Sequence, residues 1–393
     1  MKPLLRVLSL IFPAVLCLLL MVSSTSWAQT ETLLYSFSGG SDGSNPSALV
    51  HKGGKFFGTT ETGGAFNFGT VFQITAKGKK TILHSFSGPD GEYPLGALVT
   101  DKKGNLYGGT QAGGAYNAGV VFVISPSGIA SVLYSFTGGS DGSVALGPLI
   151  FDKAGNLYGV AGGGATEQGL IFKLSPSGIE TVLYTFSGRE DGGTPNGGLV
   201  FDPKGNIYGT TQAGGTGTQC FGGACGVVFE LSPSGVEKVL HNFDGAVLDG
   251  FNPLSGLVRD KEGNLYGTTW LGGPNDLGIV YEVTPSGVET VLNFFVKGSS
   301  GYYPIAPLLL DKIGNLYGTA SFSAYPTCSC GVVFQVPAAN PYEELTVYRF
   351  QNEYHPDGAF PVTGLTWGTK GRLYGTTSQG GISNFGAVFE LTP

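Results

Sequence analysis

The sequence predicts an all-β protein, a seven-bladed β-propeller of four-stranded antiparallel blades. Three observations predict it: a repeated motif, four short strand patterns in each repeat, and complementary half-repeats at the two ends. The motif is an aromatic residue followed by glycine, and its copies along the 393-residue chain are 50, 51, 50, 58, 51 and 57 residues apart. The aromatic positions are Phe57, Tyr107, Tyr158, Tyr208, Tyr266, Tyr317 and Tyr374. A period in this range is typical of solenoids, propellers and arrays.

The unit at residues 95–136 shows the strand pattern. Its apolar segments are 95–99, 105–107, 120–124 and 131–136. Between them lie the turn Asp101–Gly104, a glycine-rich loop at 111–118 and the turn Ser125–Gly128. Asp, Ser, Pro and Gly at these positions favour tight turns. Because no helical period is present, each unit is interpreted as four antiparallel strands.

The two ends of the chain supply the parts of one more blade. Residues 32–37 have the pattern of a fourth strand without the three that precede it, and residues 386–392 have that of a third strand without a successor. We expect these segments to pair and to close the ring, which leaves no sheet edge exposed. An open β-solenoid is the alternative, but its coils need fewer residues and its ends need caps.

The first 28 residues have the pattern of a secretory signal peptide. Lys2 and Arg6 precede an apolar run at 8–22, and small residues surround the expected cleavage site after Ala28. Residues 29–393 then form a single propeller domain. A membrane anchor is the alternative interpretation of the apolar run. We expect a secreted protein, extracellular or periplasmic.

The composition excludes one class of partner. The formal charge is −7 for the whole chain, and removal of the segment with Lys2 and Arg6 makes it more negative still. An acidic chain without a basic block is a poor ligand for nucleic acid. The 67 glycines recur in phase with apolar residues, so they indicate turns rather than disorder. We expect no cofactor, no nucleic-acid partner, no membrane association after cleavage, and a monomer.

The connections between strands predict where a site lies. Turns after the first and third strands are short and nearly constant, whereas loops after the second and fourth are longer and vary between repeats. In an antiparallel blade the short turns and the long loops fall on opposite ends of the sheet. The variable loops therefore share one face, the long-loop face, with the mouth of the axial channel. Variable loops on a rigid scaffold usually carry function. The ligand-binding candidates there are Trp270, Tyr302, Tyr303, Tyr325, Tyr354, His355 and Asp357. Other aromatic residues of this face are Phe66, Tyr116 and Phe360. The alternative is that they fill gaps between loops.

Repeated Asp-Gly pairs and four cysteines have structural interpretations. An Asp-Gly pair precedes the first strand in most units, and one carboxylate per loop suits a turn better than Ca²⁺, which needs six or more oxygens. Cys220 and Cys225 flank an expanded loop, and Cys328 and Cys330 lie in the corresponding loop two units later. In an exported protein these indicate disulfides, with Cys220–Cys225 the natural pair and Cys328–Cys330 a strained one. Zinc is the alternative, but the cysteine spacing does not suit it, so we predict no metal site.

Catalytic motifs are not visible. The sequence has no nucleophile elbow, phosphate-binding loop, dinucleotide fingerprint or metalloprotease helix. His355 lies beside Glu353 and Asp357, a set that suits acid–base chemistry. Paired carboxylates from different blades remain an open alternative, with Glu92 and Glu190 as further loop glutamates.

The repeat resembles a known family. Its consensus runs Gly-Asn-Leu-Tyr-Gly-Thr-Thr, a Gly-Gly loop, Gly-x-Val-Phe-x-Leu-Ser-Pro-Ser-Gly and Val-Leu-Tyr-Ser-Phe. This pattern is similar to the GloVer tandem repeat of exported bacterial choice-of-anchor proteins, over residues 31–393. The resemblance implies an exported, propeller-like protein, often held at the cell surface by a C-terminal anchor, and implies no catalytic residues. Because the chain ends at Pro393 within the last blade, we expect free secretion.

Two functional hypotheses follow. The first is a secreted scaffold that binds an extracellular glycan or protein through the aromatic residues of the long-loop face. The alternative is a carbohydrate-active or lactone-cleaving enzyme with a site at the channel mouth. A structural surface protein without a small ligand is a third interpretation.

Overall fold

Seven antiparallel blades follow one another around a central axis, and they form the predicted seven-bladed propeller; blade 5 is divided into a two-stranded and a four-stranded sheet. The computed structural model describes residues 30–220, 225–297, 301–323, 330–351 and 356–392. Apart from two single-turn 3₁₀ segments, Gly40–Asp42 and Thr369–Gly371, the regular structure in these ranges is β. No helix in the described ranges is long and apolar enough to span a membrane. The proposed signal peptide and the candidates Tyr325, Cys328, Tyr354 and His355 lie outside the described residues.

Within each blade the chain runs from the strand nearest the axis to the outermost strand, and the first strand is often split in two. Blade 1 contains Ser44–Pro46, Val50–Lys52, Lys55–Thr62, Thr70–Thr75 and Lys80–Ser85. Blade 2 contains Glu92–Thr100, Leu106–Ala112, Val120–Ile124 and Ala130–Ser135. Blade 3 contains Ser143–Ala145, Ile150–Phe151, Leu157–Gly162, Leu170–Leu174 and Glu180–Thr185. Blade 4 contains Gly193–Pro195, Val200–Phe201, Ile207–Ala213, Val227–Leu231 and Glu237–Asn242.

The remaining blades repeat this order. Blade 5 contains Gly250–Phe251, Val258–Arg259, Leu265–Thr269, Leu271–Gly272, Ile279–Val283 and Glu289–Phe294. Blade 6 contains Leu309–Leu310, Leu316–Ala320, Val332–Val336 and Leu345–Arg349. Blade 7 contains Thr366–Trp367, Leu373–Thr377, Ala387–Thr392 and, as its outermost strand, Thr30–Ser36.

The predicted closure of the ring is confirmed. Thr30–Ser36 pairs antiparallel with Ala387–Thr392, from Thr30 opposite Thr392 to Ser36 opposite Ala387. The Phe37 amide extends the ladder by donating to the Gly386 carbonyl at 3.0 Å. Both ends of the described chain therefore share one blade, and the backbone groups that an open last blade would expose are paired.

An aromatic pair joins neighbouring blades at every junction of the ring. In each pair a phenylalanine that follows the fourth strand of one blade meets an aromatic ring on the third strand of the next, edge to face. The pairs are Phe37–Phe72, Phe86–Phe122, Phe136–Phe172, Phe186–Phe229, Phe243–Tyr281, Phe295–Phe334 and Phe350–Phe389. Their ring centroids lie 5.0–5.3 Å apart, a favourable separation for such pairs. The core is therefore a ring of buried junctions.

The glycine of the repeated motif leaves space for the aromatic ring on the third strand. At Gly209 an added Cβ would lie 2.6 Å from Cζ of Phe229 and 2.9 Å from Cδ2 of Leu199. The equivalent distance to the facing aromatic side chain is 2.4–2.9 Å in the other blades. The motif is thus a packing requirement, because any side chain larger than hydrogen would overlap a buried ring.

The tyrosine of the motif is also structural. Asp101 accepts hydrogen bonds from the Asn105 amide at 2.9 Å, from its side-chain Nδ2 at 2.7 Å and from the Tyr107 hydroxyl at 3.3 Å. Blades 3, 4 and 5 repeat this arrangement. The predicted Asp turn is confirmed as a local hydrogen-bonded turn, and it occupies the face opposite the long loops.

Candidate functional site

The first strands of all seven blades meet around the axis and line the channel. Its walls form two adjoining cavities of about 430 and 330 Å³, which share Leu95, Gly96, Pro148, Ile305, Pro307 and Val362. The walls are mostly small and apolar, and Glu61 is the one ionisable side chain among the described residues that line them. The Asn45 side-chain amide donates a hydrogen bond to the Glu61 carboxylate.

A ring of strained residues surrounds the channel on the long-loop face. One residue in or near the start of the innermost segment of each blade has a positive φ of 53–60° although none is glycine. They are Asn45, Tyr93, Val144, Thr194, Asn252, Tyr303 and Phe360. Each donates its amide hydrogen to a carbonyl of the preceding blade, at 2.7–3.1 Å. For β-branched and aromatic residues this conformation is a genuine outlier, so contact with the preceding blade imposes it.

The strained ring combines a constant backbone with variable side chains. Seven equivalent positions around the channel mouth carry asparagine, tyrosine, valine, threonine or phenylalanine on the same backbone geometry. Strained backbone tends to concentrate at ligand-binding and active sites. At these seven positions the blades can therefore differ chemically around the channel mouth.

Aromatic side chains cluster on one side of this mouth, where blades 5, 6 and 7 meet. The Tyr303 ring centroid lies 5.8 Å from that of Trp270, 5.0 Å from Tyr302 and 6.0 Å from Phe322. Phe322 stacks on Tyr302 at 5.7 Å and meets Phe360 edge to face at 5.4 Å. All five rings are partly exposed. The structure thus brings three of the predicted ligand-binding residues together with Phe360, which the sequence also placed on this face, and adds Phe322.

Four of these rings, all except Tyr302, line an open depression, the aromatic cleft. Its volume is about 360 Å³, within the range of small-molecule sites. Its walls are Trp270, Tyr303, Ile305, Ser321, Phe322, Phe360, Val362, Ser378 and Gln379. No described wall residue carries a charge, and hydroxyl and amide groups border the rings. The cleft therefore suits a neutral ligand with one apolar face and hydrogen-bonding edges.

Asp357 has a different position from the aromatic candidates. Its side chain is buried, and its carboxylate accepts hydrogen bonds from the Tyr348 hydroxyl at 2.7 Å and the Gln351 amide at 3.3 Å. Asp42 holds Tyr35 in the same way. The Asp-Gly pair is thus a repeated structural turn, and Asp357 is not among the residues that line the cleft.

The same turns create pairs of carboxylates at blade junctions. Asp141 accepts a hydrogen bond from the Tyr134 hydroxyl at 2.8 Å, and Glu180 from the next blade lies beside it. Burial, with the negative charge of Asp141, raises the pKa of the Glu180 carboxyl to about 7. Glu237 beside Asp191 shows the same shift to about 7 for the same reasons.

The disulfide predictions are supported where the structure describes them. Cys220 and Cys225 are bonded, with Cα atoms 5.4 Å apart, which confirms that prediction. Cys330 is disulfide-bonded as well, and Cys328 lies outside the described residues. The first disulfide packs against the loop that leads into blade 5, where the Gln219 amide donates to the Asp244 carbonyl at 3.0 Å.

Comparison with known proteins identifies the family. The model of the Gloeobacter/Verrucomicrobia repeat matches residues 21–222 and 216–393. The chain belongs to this family. The match confirms the resemblance to the GloVer repeat. No curated protein matches the sequence.

Solved structures similar to this family member share its fold. The extracellular domain of a one-component system from B. thetaiotaomicron has a TM-score of 0.56 and 11% identity, over 90% of this chain and 39% of that one. A puromycin hydrolase, as an S511A mutant complexed with PGG, has a TM-score of 0.55 and 11% identity, over 86% of this chain and 50% of that one. This chain therefore spans half or less of these structures. At such identities the likeness shows the propeller fold alone.

Proposed function

We propose that the protein is an exported propeller that binds extracellular glycan in the aromatic cleft. The observation that carries the proposal is the convergence of four partly exposed rings from three blades on an uncharged depression at the channel mouth. A pyranose ring has apolar faces and hydroxyl edges. Aromatic rings match its faces, and the side chains of Ser378 and Gln379 match its edges.

The rigidity of the cleft also supports binding. Hydrogen bonds between blades fix the backbone at two of these rings: the Tyr303 amide lies 3.0 Å from the Leu277 carbonyl, and the Phe360 amide lies 2.8 Å from the Cys330 carbonyl. Within blade 5 the Trp270 amide donates to the Asn252 carbonyl at 3.0 Å. Because these rings are held before a ligand arrives, little side-chain entropy is lost on binding. Export through residues 1–28 is part of the proposal.

The test is binding of soluble polysaccharides to the purified protein, with release of products recorded in the same samples. Trp270→Ala, Tyr303→Ala and Phe360→Ala should each weaken binding about tenfold, because each ring contributes about 1–1.5 kcal/mol. Tyr116→Ala is the matched control, since Tyr116 is 63% exposed on the same face but belongs to blade 2. Circular dichroism and thermal unfolding establish that each variant folds. Unchanged affinity in all three folded cleft variants would contradict the proposal.

The enzyme alternative has one specific observation in its favour, the Glu61 carboxylate in the channel wall. Among the described wall residues, acid–base chemistry in the channel would depend on this group. Product release that Glu61→Gln abolishes, with binding retained, would favour the enzyme over the scaffold.

A further inference from the structure

Three metal-binding types of side chain meet at the junction of blades 4 and 5, well outside the cleft. His241 lies on the strand Glu237–Asn242, Asp249 immediately precedes the strand Gly250–Phe251, and Glu289 begins the strand Glu289–Phe294. One ligand atom from each lies within 4.8 Å of the other two. Nε2 of His241 is 3.9 Å from Oδ1 of Asp249 and 3.8 Å from Oε2 of Glu289.

In this triad His241 makes no hydrogen bond with either carboxylate. Both distances from Nε2 exceed the length of a hydrogen bond. Nε2 of His241 and Oε1 of Glu289 are buried atoms without a hydrogen-bond partner among the described residues. Such groups usually have a partner, because burying them unpaired costs free energy.

An equivalent junction shows what happens without the second carboxylate. At the junction of blades 1 and 2, His84 and Asp90 occupy the places of His241 and Asp249, and Ala130 occupies the place of Glu289. There Nε2 of the histidine lies 2.6 Å from the aspartate carboxylate, in direct contact. The open triad is therefore a property of the junction of blades 4 and 5 and not of the histidine–aspartate pair.

A second equivalent junction places a cation in this position. Where blade 7 meets blade 1, Lys80 takes the place of Glu289, and its ammonium lies 2.7 Å from the Asp42 carboxylate. The Lys80 side chain is only 4% exposed. The repeat thus accommodates a positive charge beside the junction aspartate.

We propose that His241, Asp249 and Glu289 bind a divalent transition-metal ion of the Zn²⁺ class between blades 4 and 5. One imidazole nitrogen and two carboxylates are ligands that Zn²⁺ accepts, with bonds of about 2.0–2.2 Å. Tetrahedral ligands at that bond length are about 3.3–3.5 Å apart, so Nε2 of His241, now 3.8–3.9 Å from the two carboxylates, needs to approach each of them by about half an ångström. An imidazole and two carboxylates suit Ca²⁺ poorly, because Ca²⁺ takes six to eight oxygens.

The ion would cross-link blades 4 and 5. It links the outer strand of blade 4, the loop after it and the outer strand of blade 5. The same loop already contacts the Cys220–Cys225 segment through the Gln219–Asp244 hydrogen bond. Since unfolding separates the three ligands, the binding energy adds to the stability of the folded ring.

The experiment uses the purified protein, stripped with a chelator and titrated with ZnCl₂ by calorimetry, with bound zinc counted by elemental analysis. Two variants copy sequences of other junctions and should therefore fold: Glu289→Ala resembles Ala130, and His241→Tyr resembles Tyr184. His84→Tyr is the matched control. We expect one zinc ion per chain in the wild type and His84→Tyr, and affinity reduced about a hundredfold or more in the other two. CaCl₂ in excess should not displace the zinc.

Thermal unfolding provides an independent measurement. Zinc should raise the unfolding midpoint of the wild type and His84→Tyr by several degrees at a hundredfold excess over the dissociation constant, and should leave Glu289→Ala and His241→Tyr unchanged. Equal zinc affinity in all four proteins would place binding elsewhere and overturn the proposal. No zinc binding to the wild type would also overturn it.

Discussion

Replacing Gly209 by alanine tests whether the repeated motif is fixed by packing. The added Cβ would lie 2.6 Å from Cζ of Phe229 and 2.9 Å from Cδ2 of Leu199, where ordinary contacts are 3.4–4 Å. The Phe229 ring must therefore move by about 1 Å inside a close-packed junction, which costs about 3 kcal/mol. Alanine also stabilises the protein by about 0.5 kcal/mol, because it restricts the unfolded chain more than glycine does. We expect a net loss of about 2–3 kcal/mol in the free energy of unfolding.

The assay is guanidinium unfolding followed by circular dichroism, with Gly162→Ala as the control. At Gly162 the nearest atom to an added Cβ is the Ser143 carbonyl oxygen at 3.4 Å, and the φ angle lies outside the left-handed region. That variant should stay within about 0.5 kcal/mol of the wild type. Shortening the facing ring in Gly209→Ala with Phe229→Leu should recover about 1–2 kcal/mol relative to the sum of the single changes.

Two results would refute this reasoning. If Gly209→Ala is as stable as Gly162→Ala, the junction can absorb a methyl group and the glycine has another origin. If the double variant is strictly additive, the Phe229 ring is not what the alanine meets.

Three further changes test the junctions and the strained ring. Because the carboxyls of Glu180 and Glu237 have a pKa of about 7 in the folded state against an ordinary 4.5, the folded protein keeps protons that the unfolded chain releases. Stability should therefore fall as pH rises from about 4.5 to 7, by no more than about 1 kcal/mol per group after solvent screening. The double variant Glu180→Gln/Glu237→Gln, measured in chelator, should lose the part of this slope that these two groups contribute. Val144→Gly should be more stable than Val144→Ala by about 1 kcal/mol in chemical unfolding, because only glycine adopts a φ of 55° without strain. A more stable Val144→Ala would contradict the inference that the preceding blade imposes this φ. Lys80→Ala should cost about 2 kcal/mol in the same assay by removing the buried partner of a carboxylate, whereas the exposed Lys238→Ala should change little.

The aromatic site could be predicted only in part. Trp270, Tyr302 and Tyr303 are visible because they interrupt the repeat at loop positions. Phe322 gave no such signal, since it replaces a small residue at the end of a strand, and its stacking on Tyr302 depends on how two segments of blade 6 fold back on each other. Asp357 belongs to a repeated pattern, and its structural role in the turn fits that repetition better than a binding role.

The sequence by itself determined the number of blades, the closure of the ring by the chain ends, the tight turns and the Cys220–Cys225 disulfide. These features are local or periodic, so a single unit and its spacing specify them. The tertiary structure alone decided which side chains meet across blades. The sequence pattern does not predict a positive φ at Val144, because this φ results from a hydrogen bond between the Val144 amide and a carbonyl of the preceding blade. Likewise His241 and Glu289 are ordinary strand residues in the sequence, and they become neighbours only because the curvature of the ring brings two outer strands together.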